Sequence, residues 1–211
     1  MPVIGVPSGF LPRAAVAYMT TSVYEVAALA GVLPESPEAE IEAAATLLEE
    51  LVGQLGPEAP HDSSAKALAA CLPGHVPVVY GGGITAPAAR RWKGQFNENP
   101  GIHSFWNDLP ELYHNEIMGW ETANRFGKFT AIFLSDQGLH ERTRKRLDLT
   151  ARLIQDEGSD VHIVKSEGDT PFERVMSLVF IGDLVSIYLC AATDTDPSPM
   201  DVIERLKAEL G

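Results

Sequence analysis

The sequence predicts an α/β layer fold with a mainly parallel sheet, preceded by a helical N-terminal segment. Apolar runs bounded by turn residues occur only after about residue 75, and a helical stretch follows each of them. Strands that alternate with helices and are apolar along their whole length are typical of parallel sheets covered on both faces. The predicted strands are 76–80, 102–106, 129–134 and 160–164.

Helix start and stop signals set the remaining elements. Ser36 and Thr170 each stand before a proline and an apolar stretch, as capping residues do. Gly31 is a plausible stop for the first helix. The predicted helices outside the alternating region are 13–30, 36–55, 64–72, 170–192 and 199–210. We therefore predict a helical linker or extension over 1–75 and one domain over 76–211.

Composition excludes several classes of protein. The chain has 29 acidic and 16 basic residues and a net charge of -13, whereas nucleic-acid binders normally show a basic patch. The basic cluster at residues 142–146 has Glu141 and Asp148 beside it, so we expect a solvated helix face. No nucleic-acid partner is expected.

The expected location of the protein and the expected redox state of its cysteines depend on patterns that the sequence lacks. No stretch of about 18 apolar residues is apparent, and the first residues lack the layout of a signal peptide. We expect a cytoplasmic protein with no membrane partner. Cys71 and Cys190 are far apart in apolar surroundings, so both are expected to be reduced and buried.

In open parallel sheets, ligands bind beyond the carboxyl ends of the strands. The segments to inspect are 81–85, 107–110, 135–137 and 165–170. In the first, Gly81, Gly82 and Gly83 precede a helix, where backbone N–H groups can approach an anion. A plain strand-to-helix turn is the alternative. The pattern matches neither a dinucleotide fingerprint nor a P-loop.

Two polar turns carry groups suited to proton transfer. Glu98 lies between Asn97 and Asn99 at a helix end, where the alternatives are a held base and a polar cap. His114 shares one turn with Glu116, and this turn could equally be a solvated surface turn. No HExxH or other metal-ligand spacing is present, so neither a metal nor a cofactor is expected.

Four further polar residues have both a structural and a functional interpretation. Ser135 and Asp136 could bind a ligand hydroxyl, but starting the next turn is favoured. Asp183 and Ser186 lie on an apolar helix and need partners if buried. A structural hydrogen bond and a ligand contact remain equally open for them.

Several blocks together resemble one known family. The chain contains ARRWKGQFNEN at 89–99 and PELYHNEI at 110–117. These resemble the RWKxQxNEN and PELxHNEI blocks in the C-terminal SIS (sugar isomerase) domain of bifunctional phosphoglucose/phosphomannose isomerases. DPSPM at 196–200 with IERLK at 203–207, and PRA at 12–14, resemble the end of that family's sequence and its interdomain segment.

The resemblance implies a three-layer α-β-α domain that interconverts fructose 6-phosphate with glucose 6-phosphate, mannose 6-phosphate or both. By resemblance, Glu98 carries the proton between C1 and C2, and Arg13 stabilises the enediolate. His114 opens the sugar ring and Lys207 lies near the ring oxygen. Gly82, Gly83 and Asn97 are expected to bind substrate. The ring-opening histidine of related isomerases comes from a partner subunit, which implies a homodimer.

One departure from the family pattern is visible. Members carry two SIS domains, the first of which grips the substrate phosphate, and no serine- and threonine-rich loop precedes Arg13 here. We expect the chain to be part of a longer enzyme. A stand-alone domain that pairs with another chain, and a domain that kept the fold without the reaction, are alternatives. A non-catalytic sugar-phosphate sensor and a structural dimerisation domain also remain open.

Overall fold

Four parallel strands form one sheet at the centre of the protein. The structure is a computed structural model and describes residues 3–33 and 37–211. In chain order the strands are β1 (Val76–Gly81), β2 (Phe105–Asp108), β3 (Phe129–Ser135) and β4 (Asp160–Lys165). Their spatial order is β2-β1-β3-β4, and every pair is parallel. The predicted parallel α/β fold is confirmed.

Helices cover both faces of this sheet, which makes the predicted three layers. The described residues form eight helices: α1 (Val16–Leu29), α2 (Glu38–Leu55), α3 (Ser64–Cys71), α4 (Ala86–Glu98), α5 (Ile117–Trp120), α6 (Glu141–Asp156), α7 (Pro171–Ala192) and α8 (Asp201–Leu210). Short 3₁₀ turns add to them, including Pro12–Ala15 before α1 and Glu111–Tyr113 before α5.

Side-chain alternation along the strands divides the core in two. Val79 and Ile132 face the layer that contains α2, α3, α4 and α7. Val78 and Tyr80 face the opposite layer, which contains α6 and the 111–120 segment. We call these the α7 face and the α6 face of the sheet. Because successive strand residues point to opposite faces, both sides of β1 and β3 must be apolar.

The long helix α7 is the centre of the α7 face. Thr170 accepts a hydrogen bond from the Glu173 N–H, and the Glu173 carboxylate accepts one from the Thr170 N–H, a reciprocal cap at its start. At its middle, Trp92 of α4 donates its Nε1–H to the Leu178 carbonyl. A Cβ on Gly182 would lie 2.2 Å from Trp92 Nε1, so only glycine allows this approach.

The expectation that no segment could span a membrane by length and composition is wrong for α7. An 18-residue window of this helix has a mean hydropathy of 2.1, and 56% of the window is buried inside the protein. The helix is this apolar because α2, α3 and α4 all pack against it.

The N-terminal helices differ in how they join this core. Leu51 and Leu55 of α2 and Leu68 of α3 belong to the α7-face core. By contrast, α1 has no buried residue, although Tyr24 stacks on Phe172 with ring centroids 4.5 Å apart. The division of the chain at residue 75 stays a prediction.

Most predicted bounds agree with the structure within a few residues, and the exceptions have local causes. β2 begins at Phe105 instead of Ile102, because the Ile102 N–H bonds the Phe96 carbonyl and ties this segment to the end of α4. Cys190 is buried, but Cys71 is exposed, so its predicted burial is wrong. The predicted cap Ser36 lies outside the described residues.

Candidate active site

The predicted base Glu98, which is the last residue of α4, lies beside Arg13, the residue predicted to stabilise the enediolate. Arg13 Nη1 lies 3.6 Å from Glu98 Oε2, although the two residues are 85 positions apart in the chain. The Arg13 side chain is only 7% exposed, whereas the Glu98 side chain is 41% exposed. A fixed cation therefore faces a carboxylate that solvent or a ligand can reach.

Contacts from the C-terminal segment hold the Arg13 guanidinium in place. Arg13 Nη2 donates to the Pro197 carbonyl at 2.5 Å, and Nη1 donates to Met200 Sδ at 3.2 Å. Neither partner carries a negative charge, so the guanidinium keeps its full charge for the carboxylate beside it. Among the described residues, the Glu98 side chain makes no hydrogen bond, and this ion pair is its one polar contact.

A second arginine supports the pair from behind. Arg91 of α4 forms two hydrogen bonds with the Asp183 carboxylate, at 3.0 and 2.7 Å, and donates to the Arg13 carbonyl at 2.8 Å. Gln95 also donates to Asp183, at 2.8 Å. Burial raises the pKa of Asp183, because the lost hydration outweighs the opposing effect of Arg91. No local sequence pattern predicts a role for Arg91.

A small cavity adjoins these residues. Its volume is about 240 Å³, and its lining includes Arg13, Gln95, Asn99, Asp183 and Ser198. Four of these five side chains are uncharged or negative, so Arg13 supplies the positive charge. The cavity can receive a small polar group next to the Arg13–Glu98 pair.

His114 lies on the other side of the sheet. It follows the 3₁₀ turn Glu111–Tyr113 and is exposed, while its neighbour Leu112 is buried in the α6-face core. Glu98 ends α4, whose Trp92 and Phe96 are buried in the α7-face core. The two predicted catalytic residues of one chain therefore lie on opposite faces of the sheet.

Hydrogen bonds fix the turn that carries His114. Glu116 accepts from the Tyr80 hydroxyl at 2.5 Å and from Asn107 Nδ2 at 2.6 Å. Trp120 Nε1 donates to the same Tyr80 hydroxyl at 2.9 Å. Burial and the nearby Glu116 carboxylate raise the pKa of Tyr80, so its hydroxyl stays protonated and donates. The turn is thus attached to β1 and β2.

The glycine turn and Glu98 lie at opposite ends of one helix. Gly82 and Gly83 stand just before α4, and Glu98 is its last residue. Thirteen helical residues separate the two ends by roughly 18 Å. One hexose phosphate cannot touch both of them within a single chain. The Arg13–Glu98 pair thus lies at the amino edge of the sheet, away from the carboxyl ends of the strands, where ligands were expected.

The remaining predicted residues have clear positions. Asn97 Oδ1 accepts a hydrogen bond from the Ser104 N–H at 3.0 Å, which closes the turn after α4. Lys207 lies on α8, which has no buried residue. Within 3–33 and 37–211, no three His, Cys, Asp or Glu side chains gather closely enough to hold a metal ion.

Asp136 forms a closed cluster at the carboxyl edge. Its carboxylate accepts from Arg174 at 2.8 Å, from Ser166 at 2.7 Å and from the Gly138 N–H at 2.7 Å. The side chain is 2% exposed. These contacts agree with the structural interpretation that the sequence favoured. Asp183 and Ser186 are likewise hydrogen-bonded within the protein.

Most of the chain also matches a described protein family. A family described as "Bacterial phospho-glucose isomerase C-terminal SIS domain" matches residues 61–210, which contain the sheet, Glu98, His114 and Lys207. The chain belongs to this family. Arg13 lies before the matched region, so this match does not cover it.

Curated relatives are similar to nearly the whole of this chain. A bifunctional phosphoglucose/phosphomannose isomerase of Aquifex aeolicus is 36% identical over 205 residues, 97% of this chain and 60% of that protein. The one from Caldicellulosiruptor bescii is 36% identical over 211 residues, 99% of this chain and 62% of that protein. This chain therefore spans about three fifths of the length of these relatives.

Solved structures agree on the fold. A glucose-6-phosphate isomerase like protein from Thermus thermophilus superposes with a TM-score of 0.64 at 20% identity, covering 80% of this chain and 56% of that one. The C-terminal domain of glucosamine-fructose-6-phosphate aminotransferase from Francisella tularensis gives 0.58 at 13% identity, covering 76% and 46%.

Proposed function

We propose that this SIS domain belongs to an aldose–ketose isomerase that converts fructose 6-phosphate to glucose 6-phosphate, mannose 6-phosphate or both. The observation that carries the proposal is the Arg13–Glu98 pair at 3.6 Å. The names of the curated relatives, at 36% identity, support the reaction class. We also propose a cytoplasmic location, since the substrates are phosphorylated metabolites.

In this mechanism Glu98 is the only base that the central step needs. It removes a proton from C1 of open-chain fructose 6-phosphate and returns it to C2, with a cis-enediol as the intermediate between the two steps. In the reverse direction, from the aldose, the proton moves from C2 to C1. Negative charge develops on the enediolate oxygen, and the preorganised Arg13 guanidinium stabilises it. The exposure of Glu98 allows substrate access, while burial of Arg13 keeps its orientation fixed.

We propose that His114 acts on the substrate of a second copy of the chain. His114 and Glu98 of one chain lie on opposite faces of the sheet, so one sugar cannot contact both. A homodimer brings one copy's His114 to the other copy's Glu98. An imidazole titrates near neutral pH and suits ring opening, and Lys207 is proposed to bind the ring oxygen from α8.

The phosphate of the substrate needs a further group. The 240 Å³ cavity contains one cation, Arg13, which the enediolate also requires. About two fifths of each curated relative has no counterpart in this chain. We propose that the corresponding polypeptide supplies the phosphate site, and that Gly82, Gly83 and Asn97 shape their own turns and do not touch the sugar of the same chain.

The test is to incubate the chain with fructose 6-phosphate and follow both aldose phosphates by NMR. A parallel sample contains the part of the Aquifex aeolicus relative that this chain does not match, added as a second polypeptide. Glu98→Gln serves as the variant, because it removes the base and keeps the size of the side chain. We expect an aldose phosphate in at least one sample, formed about 10²- to 10⁴-fold more slowly with Glu98→Gln.

Other outcomes separate the alternatives. Fructose 6-phosphate that binds without turnover, equally well in Glu98→Gln, would identify a sugar-phosphate sensor. Turnover at the parent rate in Glu98→Gln would exclude Glu98 as the base. If no hexose phosphate binds in either sample, the isomerase proposal is wrong.

A further inference from the structure

Two polar residues of α4 and the residue that follows its last turn have no part in the proposed reaction and yet lie on one side of the helix. Arg91, Gln95 and Asn99 recur at every fourth position, which places them on the same face, one turn apart. All three point at α7, where Asp183 and Ser186 are also one turn apart. Asn99 donates to Ser186 Oγ at 2.8 Å. We call these five residues the polar ladder.

The ladder connects directly to Arg13. Arg91 uses three N–H bonds: two to the Asp183 carboxylate and one to the Arg13 carbonyl at 2.8 Å. Its guanidinium therefore bridges α7 and the backbone of Arg13. Gln95 donates to the same Asp183 carboxylate, so the acceptor is fixed from two turns of α4.

The other end of the same helix face leads to Glu98. Asn99 is the residue after Glu98, and its bond to Ser186 fixes the end of α4 on α7. Both members of the Arg13–Glu98 pair are thus located by the ladder: Arg13 through its carbonyl and Glu98 through the helix end. We propose that Arg91, with Asp183, is a positioning residue that holds the Arg13 guanidinium at its distance from Glu98.

A purely structural purpose would not need this arrangement. Trp92 and Gly182 already pack α4 closely against α7. Well-packed apolar side chains often stabilise such a helix contact as well as a buried ion pair does. The planar guanidinium fork is required only if one side chain must reach two acceptors in fixed directions, which a lysine ammonium cannot do in the same way. The catalytic part of this inference rests on the proposed function.

The chain offers a matched control for the test. Arg174 also bonds one buried carboxylate, Asp136 at 2.8 Å, and one backbone carbonyl, Asp169 at 2.6 Å. It lies at the carboxyl edge, away from Arg13 and Glu98. Arg91→Lys and Arg174→Lys therefore make the same chemical change, with charge kept, in two similar environments.

The experiment measures kcat and KM in the sample that converts fructose 6-phosphate, together with thermal unfolding and a crystal structure of each variant. We expect both variants to lose stability by similar amounts. Arg91→Lys should lower kcat on the order of 10- to 100-fold with KM changed less than about threefold, because a small misplacement of a catalytic group has effects of this size. Arg174→Lys should keep the parent kcat.

The crystal structures decide the inference independently of activity. Arg91→Lys is expected to separate Arg13 from Glu98 beyond ion-pair distance, and Arg174→Lys is expected to leave the pair unchanged. An unmoved Arg13 in Arg91→Lys, or equal kcat losses in the two variants, would overturn the positioning role. If the parent protein converts no sugar phosphate, the proposed function fails while the Arg13–Glu98 separation still tests the positioning role.

Discussion

The two edges of the sheet each hold a carboxylate beside an arginine, and the two pairs differ in how much else they contact. At the carboxyl edge, Asp136 accepts hydrogen bonds from Arg174, Ser166 and a backbone N–H, and its side chain is 2% exposed. At the amino edge, Glu98 lies 3.6 Å from Arg13 and is 41% exposed. The first carboxylate is fully occupied by the protein, and the second is available.

This difference separates a group that stabilises the fold from one that can do chemistry. A buried carboxylate needs partners for its lone pairs, because an unpaired buried charge costs several kcal/mol. Asp136 has those partners and no capacity left for a substrate. Glu98 needs none, since water satisfies it, and a sugar can replace that water. Charge pairing alone would not have distinguished the two.

The largest expected effect comes from removing the available carboxylate. Glu98→Gln should lower the isomerisation rate by about 10²- to 10⁴-fold, the range for loss of one general acid–base group. The free energy of unfolding should change by less than about 0.5 kcal/mol, as for most exposed substitutions. NMR of product formation and urea unfolding measure the two quantities. A large loss of stability would mean that Glu98 also holds the fold.

The second prediction is the converse at the carboxyl edge. Asp136→Asn should destabilise the protein by about 3 kcal/mol, because it removes a buried charged acceptor that Arg174, Ser166 and the Gly138 N–H share. The rate per folded molecule should equal that of the parent. Urea unfolding at pH 7 measures the loss, and initial rates well below the unfolding transition give the activity. A variant that is stable but slow would place Asp136 in the reaction.

Much of the fold could be predicted from the sequence, but the position of Glu98 in the fold could not. The four strands and the capped start of α7 at Thr170 follow from local patterns, whereas the role predicted for Glu98 came from the family resemblance. The rule that ligands bind at the carboxyl ends of strands directed attention to 81–85 and 135–137, and Glu98 lies at the other edge. Its position depends on the length of α4, which carries Glu98 roughly 18 Å from the glycine turn.

Contacts between residues that are far apart in the chain could not be predicted either. Arg91 stands in a recognisable block, but its bonds to Asp183 and to the Arg13 carbonyl join residues 92 and 78 positions apart. No local pattern reports such a contact. The high hydropathy of α7 is similarly explained only by the three helices around it. A signal was present for Asp183, since a lone acid on an apolar helix requires a partner.

The third prediction concerns Thr170, the residue that caps the start of α7. Thr170→Ala removes the hydroxyl that accepts from the Glu173 N–H and should cost about 1 kcal/mol of stability, the usual loss for a helix cap. Thr170→Ser keeps the hydroxyl and is the matched control, with a smaller loss expected. Urea midpoints at constant m-value measure both. Equal losses in Ala and Ser would assign the effect to the threonine methyl group instead.

The smallest predicted effect is a pH dependence at the same helix start. Hydrogen bonds from the Thr170 and Asp169 N–H groups lower the pKa of Glu173. A carboxyl with a lowered pKa in the folded state contributes stability above its ordinary pKa of about 4.3, and this contribution is lost as the pH falls through the lowered value. Glu173→Gln should therefore be less stable than the parent at pH 7 and should approach it at pH 3. Urea unfolding of both proteins across this range tests the prediction, and parallel curves would contradict it. Glu173 and Glu98 therefore differ in the same way as Asp136 and Glu98 do. The Glu173 carboxylate accepts backbone hydrogen bonds and contributes to stability, whereas the Glu98 carboxylate accepts none and is available to a substrate.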